Sequence, residues 1–266
     1  MDYQKLFDLT GKVIVVTGAY GWLGKENCHC LKQFGATVIP LIRNAEKRWK
    51  EDAGSDTEPL GEEYVECDIK SVDSIREAYR YVDEKYGKID VLDHCASFGG
   101  GFGKDSQLEY MSDETWQKCL DGGIEACFRV IREVVPYMKK NGGGSIIDYS
   151  SMYGLVSSDL RIYGGTDQKS PPSYAASKSA IAQFTRYAAG ALAPYNIRVN
   201  TVTPGPFPAT AAQEFTEFIR TLGEKTMIGR IGQPHEMAGA VLLLASDASS
   251  FMTGSNIVVD GGWTAW

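Results

Sequence analysis

No apolar run in this chain approaches the length needed to cross a bilayer, and Met1 to Thr10 is charged and polar, unlike a secretory leader. The expectation is a cytoplasmic protein with no membrane partner. Basic charge is also scarce. The 27 Lys+Arg against 34 Asp+Glu leave a formal net charge of -7, which argues against nucleic acid or an anionic membrane as the main partner. The cysteines at 28, 30, 67, 95, 119 and 127 form no paired Cys-x-x-Cys framework, so reduced, mostly buried thiols are expected. Cys28-His29-Cys30 makes no metal site either, because alternate helical positions point roughly 200° apart; no metal is expected. Repeats, low-complexity tracts and linkers are absent. With 266 residues, the chain suits one domain, 1–266, able to bury roughly three quarters of its unfolded surface.

What is present is alternation. Apolar, β-branched runs place strands near 13–17, 37–42, 63–67, 90–95, 145–149, 197–202 and 256–259, with helical patterns between them. Val72, Ile75, Tyr79, Val82 and Tyr86 recur at helical spacing, with Ser71 and Gly87 as caps. Such alternation implies an α/β fold, a doubly wound, seven-stranded parallel sheet of Rossmann type with helices on both faces. Asn44 to Glu63, charged and containing Gly54, Ser55, Pro59 and Gly61, is the expected mobile surface segment.

Two local patterns carry chemistry. Strand 13–17 runs into Thr17-Gly18-Ala19-Tyr20-Gly21-Trp22-Leu23-Gly24 and then a helix, the arrangement in which backbone N–H groups and a helix N-terminus hold a pyrophosphate. Ser173-Tyr174-Ala175-Ala176-Ser177-Lys178 follows a serine pair at Ser150-Ser151. On a helix, Tyr174 and Lys178 share a face, and a nearby ammonium favours the phenolate. Tyr174 then serves as general acid or base, and Ser151 hydrogen-bonds the oxygen whose charge changes. This is equipment for carbonyl reduction or alcohol oxidation.

Together these motifs resemble the short-chain dehydrogenase/reductase family, single-domain type, over nearly all of the chain. Cys67-Asp68-Ile69 resembles its adenine-contacting turn, and Asn196 to Gly205 its sixth strand and nicotinamide-bordering Pro-Gly. Gly229 to Pro234 and Thr253 to Gly262 resemble its C-terminal landmarks. The resemblance implies an NAD(P)-dependent oxidoreductase acting on CH–OH groups, with Ser151, Tyr174 and Lys178 catalytic. It places cofactor against Gly18, Tyr20, Gly21, Trp22, Leu23, Gly24, Arg43, Asp68, Ile69, Ala96, Tyr174, Lys178, Pro204, Gly205 and Phe207. The second strand ends at Ile42-Arg43 with no carboxylate, so NADP(H) is favoured over NAD(H). A homodimer or homotetramer is implied as well.

The chain departs from the family in three places. Trp22 takes the middle-glycine position, and Gly18, Gly21 and Gly24 follow the spacing of the longer, nucleotide-sugar-modifying branch. His94-Cys95-Ala96-Ser97 replaces Asn-Asn-Ala-Gly. Gly123 stands where the tetrad asparagine would, beside Gly122, which together permit a helix distortion. Substrate information falls in loop 152–172 and in a lid at about 206–228, with a helix from roughly Ala211 to Leu222. The loop is polar, aromatic and basic, and Tyr153, Arg161 and Tyr163 are its candidate substrate residues, with Lys169 a further cation. It resembles bacterial sugar and sugar-acid oxidoreductases of the gluconate 5-dehydrogenase kind. The expected substrate is a small polar molecule: a sugar, sugar acid or nucleotide sugar. Two alternatives stand beside this: a nucleotide-sugar epimerase or dehydratase with retained cofactor, and a non-catalytic NADP-binding sensor.

Overall fold

The computed structural model describes residues 2–53, 58–98, 100–101, 103–209 and 214–266. Its sheet has seven parallel strands in the order β3-β2-β1-β4-β5-β6-β7. The strands are β1 Val13–Thr17, β2 Thr37–Ile42, β3 Val65–Glu66, β4 Val91–His94, β5 Gly144–Tyr149, β6 Ile197–Pro204 and β7 Asn256–Val259. The helices used below are α1 Gly24–Gln33, α2 Ala45–Ala53, α3 Val72–Tyr86, α4 Asp113–Leu120, α5 Ala126–Lys140, α6 Pro172–Leu192, α7 Thr216–Glu224 and α8 His235–Ala245.

Strand alternation sends successive side chains to opposite faces. Val13, Val15, Ile39, Leu92 and Ile146 pack with α3, α5 and α6, while Ile14, Val16, Val38, Val91 and Ile147 pack with α1 and α8. The result is the two-sided burial that a parallel sheet requires. Helix α3 spans the expected residues, capped by Ser71, whose Oγ accepts from the Ser74 N–H at 3.2 Å, and closed by Gly87 at φ +80°.

Strand β3 is shorter than expected, and β2 gives the reason. Pro40 has no N–H to donate, and the Val38 carbonyl is taken by the Glu62 N–H at 3.0 Å. Pairing with β3 is confined to Leu41 and Ile42. The segment Asn44 to Glu63 contains helix α2, where the expectation was a mobile surface stretch. The Glu66 carboxylate accepts the Asn44 and Ala45 N–H groups at 3.0 and 2.8 Å, an anionic cap on the helix start. Gly54 and Ser55 lie outside the described residues, as do Thr210 and Ala211; the lid helix is described from Thr216.

Strand order reverses between β1 and β4, opening a crevice at the carboxyl ends of the strands. No helix among the described residues is long and apolar enough to cross a membrane. All six cysteines are free, four of them buried.

Candidate active site

The crevice begins where β1 turns into α1. Gly18 adopts φ +69°, and a Cβ there would lie 2.7 Å from the Ala96 nitrogen; at Gly24 it would lie 2.3 Å from the Gly18 carbonyl oxygen. Only glycine lets strand, turn and helix approach this closely. Gly21 is less constrained, its N–H donating to the Gly18 carbonyl at 2.8 Å. With Trp22 in place of the middle glycine, the phosphate turn still forms.

The altered fourth-strand motif is accommodated by Thr17. Its Oγ1 accepts the Ala96 N–H at 3.3 Å and lies 2.8 Å from His94 Nδ1. The hydroxyl and Nδ1 share one hydrogen bond that ties the end of β1 to the end of β4. Burial, aided by the Lys178 charge, pushes the His94 pKa down to about 3. His94 is a structural link between β1 and β4.

Beyond the turn lies a cleft of about 550 Å³. Gly18, Tyr20, Gly21, Trp22, Leu23, Arg43, Asp68, Ile69, Ala96 and Phe207 line it as expected. Gly24 does not: it packs beneath the turn. Gly205 is likewise occupied by packing, where a Cβ would lie 2.4 Å from the Asp260 Cα, and Pro204 ends β6. Asn44, Arg48, Lys70 and Phe98 also line the cleft and were not anticipated. Arg48 lies on α2, over the Tyr20 ring at 4.9 Å, and Lys25 is 4.8 Å from the same ring. The residues fit a dinucleotide: a glycine cradle at a helix N-terminus, apolar walls, and cations at the β2 end.

The catalytic candidates gather at the other side of β5. Ser151 leaves the strand and caps a 3-10 turn, Met152–Gly154, its Oγ accepting the Tyr153 N–H at 3.2 Å. Lys178 is buried; its Nζ donates to the Tyr149 carbonyl at 2.8 Å and sits 5.8 Å from the Tyr174 ring centroid. The Ser150 hydroxyl donates to the Lys178 carbonyl at 2.9 Å, fastening α6 to the end of β5. Pro172 at the start of α6 supplies helix-ready φ. The structure thus brings Ser151, Tyr174 and Lys178 to one place.

Gly123 sits in a π-helical turn, Asp121–Glu125, that joins α4 to α5, the distortion that the glycine pair permits. A Cβ at Gly122 would lie 2.0 Å from the Phe98 carbonyl oxygen, and one at Gly123 only 1.9 Å from Ser177 Oγ. Ser177 Oγ accepts the Ile124 N–H at 3.0 Å. A hydroxyl from α6 thereby fills the volume a side chain at 123 would enter.

Two carboxyls lie beneath the crevice, one on each face of the sheet. Asp93 Oδ2 accepts from Asn27 Nδ2 at 3.0 Å, and Asp148 Oδ2 from the Thr185 hydroxyl at 3.3 Å; each leaves its Oδ1 without a partner. Burial raises both to about 7, opposed by the neighbouring polar groups, Tyr149 and Asn27 at Asp93 and Cys127 and Thr185 at Asp148.

The Tyr174 ring packs into a third hydrophobic cluster, apart from the two that flank the sheet. Met152, Tyr153, Ile162, Leu222 and Trp263 are its buried members, with Tyr163, Phe218, Ile219 and Ile231 packed against them. Tyr153 meets Trp263 edge-on at 6.2 Å, and Tyr163 meets Phe218 at 5.5 Å. Burial raises the Tyr153 pKa well above the ordinary tyrosine value, so its hydroxyl is protonated; that hydroxyl lies near Tyr163 yet makes no hydrogen bond of acceptable geometry.

Arg161, the third residue expected to meet the substrate, lies at the surface. Its side chain is 87% exposed, and Nε and Nη2 donate to the Asp159 carboxylate at 2.8 and 2.9 Å. A guanidinium beside a carboxylate two residues away is satisfied locally and does not turn inward. Asp159 also pairs with Lys225, just past α7, and the two cations hold its pKa well below the usual range. Phe218 and Lys225 fall in the segment expected as a lid but were not singled out, and Trp263 reaches the cluster from the C-terminal segment. No cluster of metal-ligating side chains exists among the described residues.

A glycine-cradled cleft at the switch point of a Rossmann sheet, together with a Ser-Tyr-Lys group beyond β5, defines a nicotinamide-dependent oxidoreductase. The chain belongs to the short-chain dehydrogenase/reductase family, and its members' chemistry on CH–OH groups is its own. Residues 22–264 match the family model described as enoyl-(acyl carrier protein) reductase. The chain is 37% identical to the 3-oxoacyl-[acyl-carrier-protein] reductase of Thermotoga maritima over 260 residues, 96% of this chain and 98% of that one. It is 32% identical to the cyclopentanol dehydrogenase of Comamonas testosteroni, covering 96% and 97%. The gluconate 5-dehydrogenase of Burkholderia cenocepacia, solved with NADP and tartrate, superposes with a TM-score of 0.84 at 26% identity, covering all of both chains. That match agrees with the sugar-acid oxidoreductase resemblance drawn from the loop.

Proposed function

We propose that this protein interconverts a ketone and a secondary alcohol on a small, polar, hydroxylated substrate of the sugar or polyol kind, with NADP(H) preferred. The observation that carries the reading is Lys178, buried behind Tyr174 and anchored to the Tyr149 carbonyl. In reduction, the Tyr174 hydroxyl gives its proton to the carbonyl oxygen. Lys178 stabilises the phenolate left behind, and the Ser151 hydroxyl hydrogen-bonds the same oxygen. A nicotinamide dinucleotide in the cleft supplies the hydride, or accepts it in the reverse direction. Oxidation runs the same proton path backwards, from alcohol to Tyr174.

The NADP preference is supported by Arg43, exposed at the end of β2, a strand that carries no carboxylate of its own there, and by Arg48 on the same wall. Guanidinium groups there suit a 2′-phosphate. A homodimer or homotetramer is supported by Trp116, Phe128 and Tyr187, exposed apolar residues on α4, α5 and α6. Six free cysteines suit a reducing, cytoplasmic setting. Loop 152–172 and the segment 206–228 are the proposed substrate loop and lid.

The test is nicotinamide absorbance change with NADPH and NADH against ketoses, polyols, sugar acids and simple ketones, with Tyr174→Phe alongside. Turnover that falls by about 10²–10⁴-fold in the variant supports the reading. Equal turnover in wild type and variant overturns it.

A further inference from the structure

The surroundings of Tyr174 narrow the substrate, given the reading of Ser151, Tyr174 and Lys178 above. The walls beside it are aromatic and apolar: Tyr153, Tyr163, Phe218 and Trp263. The cations of the neighbouring segments are all engaged elsewhere. Arg161 and Lys225 both pair with Asp159, and Lys169 Nζ donates to the Gly164 carbonyl at 3.1 Å. A carboxylate or phosphate entering here gives up its hydration against aromatic walls, while the side-chain cations nearby are already held by protein groups, an arrangement that disfavours binding.

One polar atom in the walls lacks a partner. The Tyr153 hydroxyl is buried and makes no hydrogen bond, although its ring is fixed against Trp263. Tyr153 follows Ser151 by two residues, on the 3-10 turn that Ser151 caps, and shares one cluster with Tyr174. Leaving such a donor unsatisfied is unfavourable. A ligand oxygen removes that cost, and a site built to bond a substrate hydroxyl rejects analogues that lack it.

We propose that the substrate is an uncharged ketone or secondary alcohol carrying a second hydroxyl close to the reacting carbon, with Tyr153 as the hydrogen-bond partner of that hydroxyl. Tyr153 is a specificity residue. It selects hydroxylated substrates over their deoxy analogues, while the apolar walls select against anions.

The test uses the full-length enzyme with its preferred nicotinamide cofactor and four probes: 2-hydroxycyclohexanone, cyclohexanone, 3-oxocyclohexanecarboxylate and 5-ketogluconate. The hydroxy ketone should show the highest kcat/KM, about tenfold above cyclohexanone, with both carboxylates lower still. Tyr153→Phe, which keeps the ring and removes only the hydroxyl, should collapse the ratio of hydroxy ketone to cyclohexanone toward one. A higher kcat/KM for either carboxylate overturns the proposal, as does a hydroxy-to-deoxy ratio that Tyr153→Phe leaves intact. In both cases turnover itself would uphold the oxidoreductase reading. No turnover of any probe, or of the wider panel above, would remove that reading and this inference together.

Discussion

The two halves of the crevice are built by different means. On the β1–β3 side, shape comes from backbone: Gly18 and Gly24 bring strand, turn and helix so close that a Cβ has no room. On the Tyr174 side, shape comes from side chains contributed by the turn after Ser151, loop 152–172, helix α7 and the C-terminal segment. The first construction fixes what every dinucleotide needs, a close approach to N–H groups. The second can be altered one side chain at a time without disturbing the first.

The largest effect should come from breaking the backbone construction. Gly24→Ala puts a Cβ 2.3 Å from the Gly18 carbonyl oxygen. It should cost about 3 kcal/mol or more in stability and abolish measurable cofactor binding, read by thermal unfolding and nicotinamide titration. Gly21→Ala, with 3.0 Å available, should cost about 1 kcal/mol and retain binding. Equal losses at both positions would refute the claim that the cradle depends on particular close contacts.

Next in size is the sheet that both halves share. Asp148 is held at about 7 in the fold by burial, above the ordinary aspartate value of 3.8 that it takes in the unfolded chain. Because the folded state binds the proton more tightly, its contribution is fully present below pH ~4 and is lost as pH rises toward ~7. Asp148→Asn removes that dependence. Its gain in Tm relative to wild type should be larger at pH 8 than at pH 5, by several degrees; a gain independent of pH would place Asp148 among ordinary, ionised carboxylates.

The smallest effect sharpens the comparison. Phe218→Ala thins one wall beside Tyr163 and should raise KM for the carbonyl substrate up to about tenfold. The Kd for cofactor should not follow it. A parallel rise in both would mean that the halves are coupled through the lid.

This division also decides what was legible in the sequence. Strands and helices announce themselves by apolar period, and Gly18, Tyr174 and Lys178 by local spacing, so the sheet, the glycine turn and the Tyr-Lys pair could be read directly. Even the helix distortion at Gly122-Gly123 was visible, since adjacent glycines are poor helix formers. The substrate walls were not, because Phe218, Lys225 and Trp263 become neighbours of loop 152–172 only through the completed fold. Arg161 misled for a related reason: its charge suggested a ligand contact, whereas Asp159, two residues away, offered a nearer partner. Arg48 was missed because Asn44 to Glu63 read as irregular, and the Glu66 cap that starts α2 lies beyond that stretch.

The hydroxyl of Ser177 bears on how enzymes of this kind are compared. It reaches from α6 into the volume beside Gly123 and takes the Ile124 N–H. A column-by-column comparison scores position 123 as a vacancy in a catalytic set. Seen in three dimensions, a polar group still occupies that ground, having arrived from another stretch of chain. Inventories compiled by place in space would record a hydroxyl at this point where inventories compiled by alignment column record only a missing side chain.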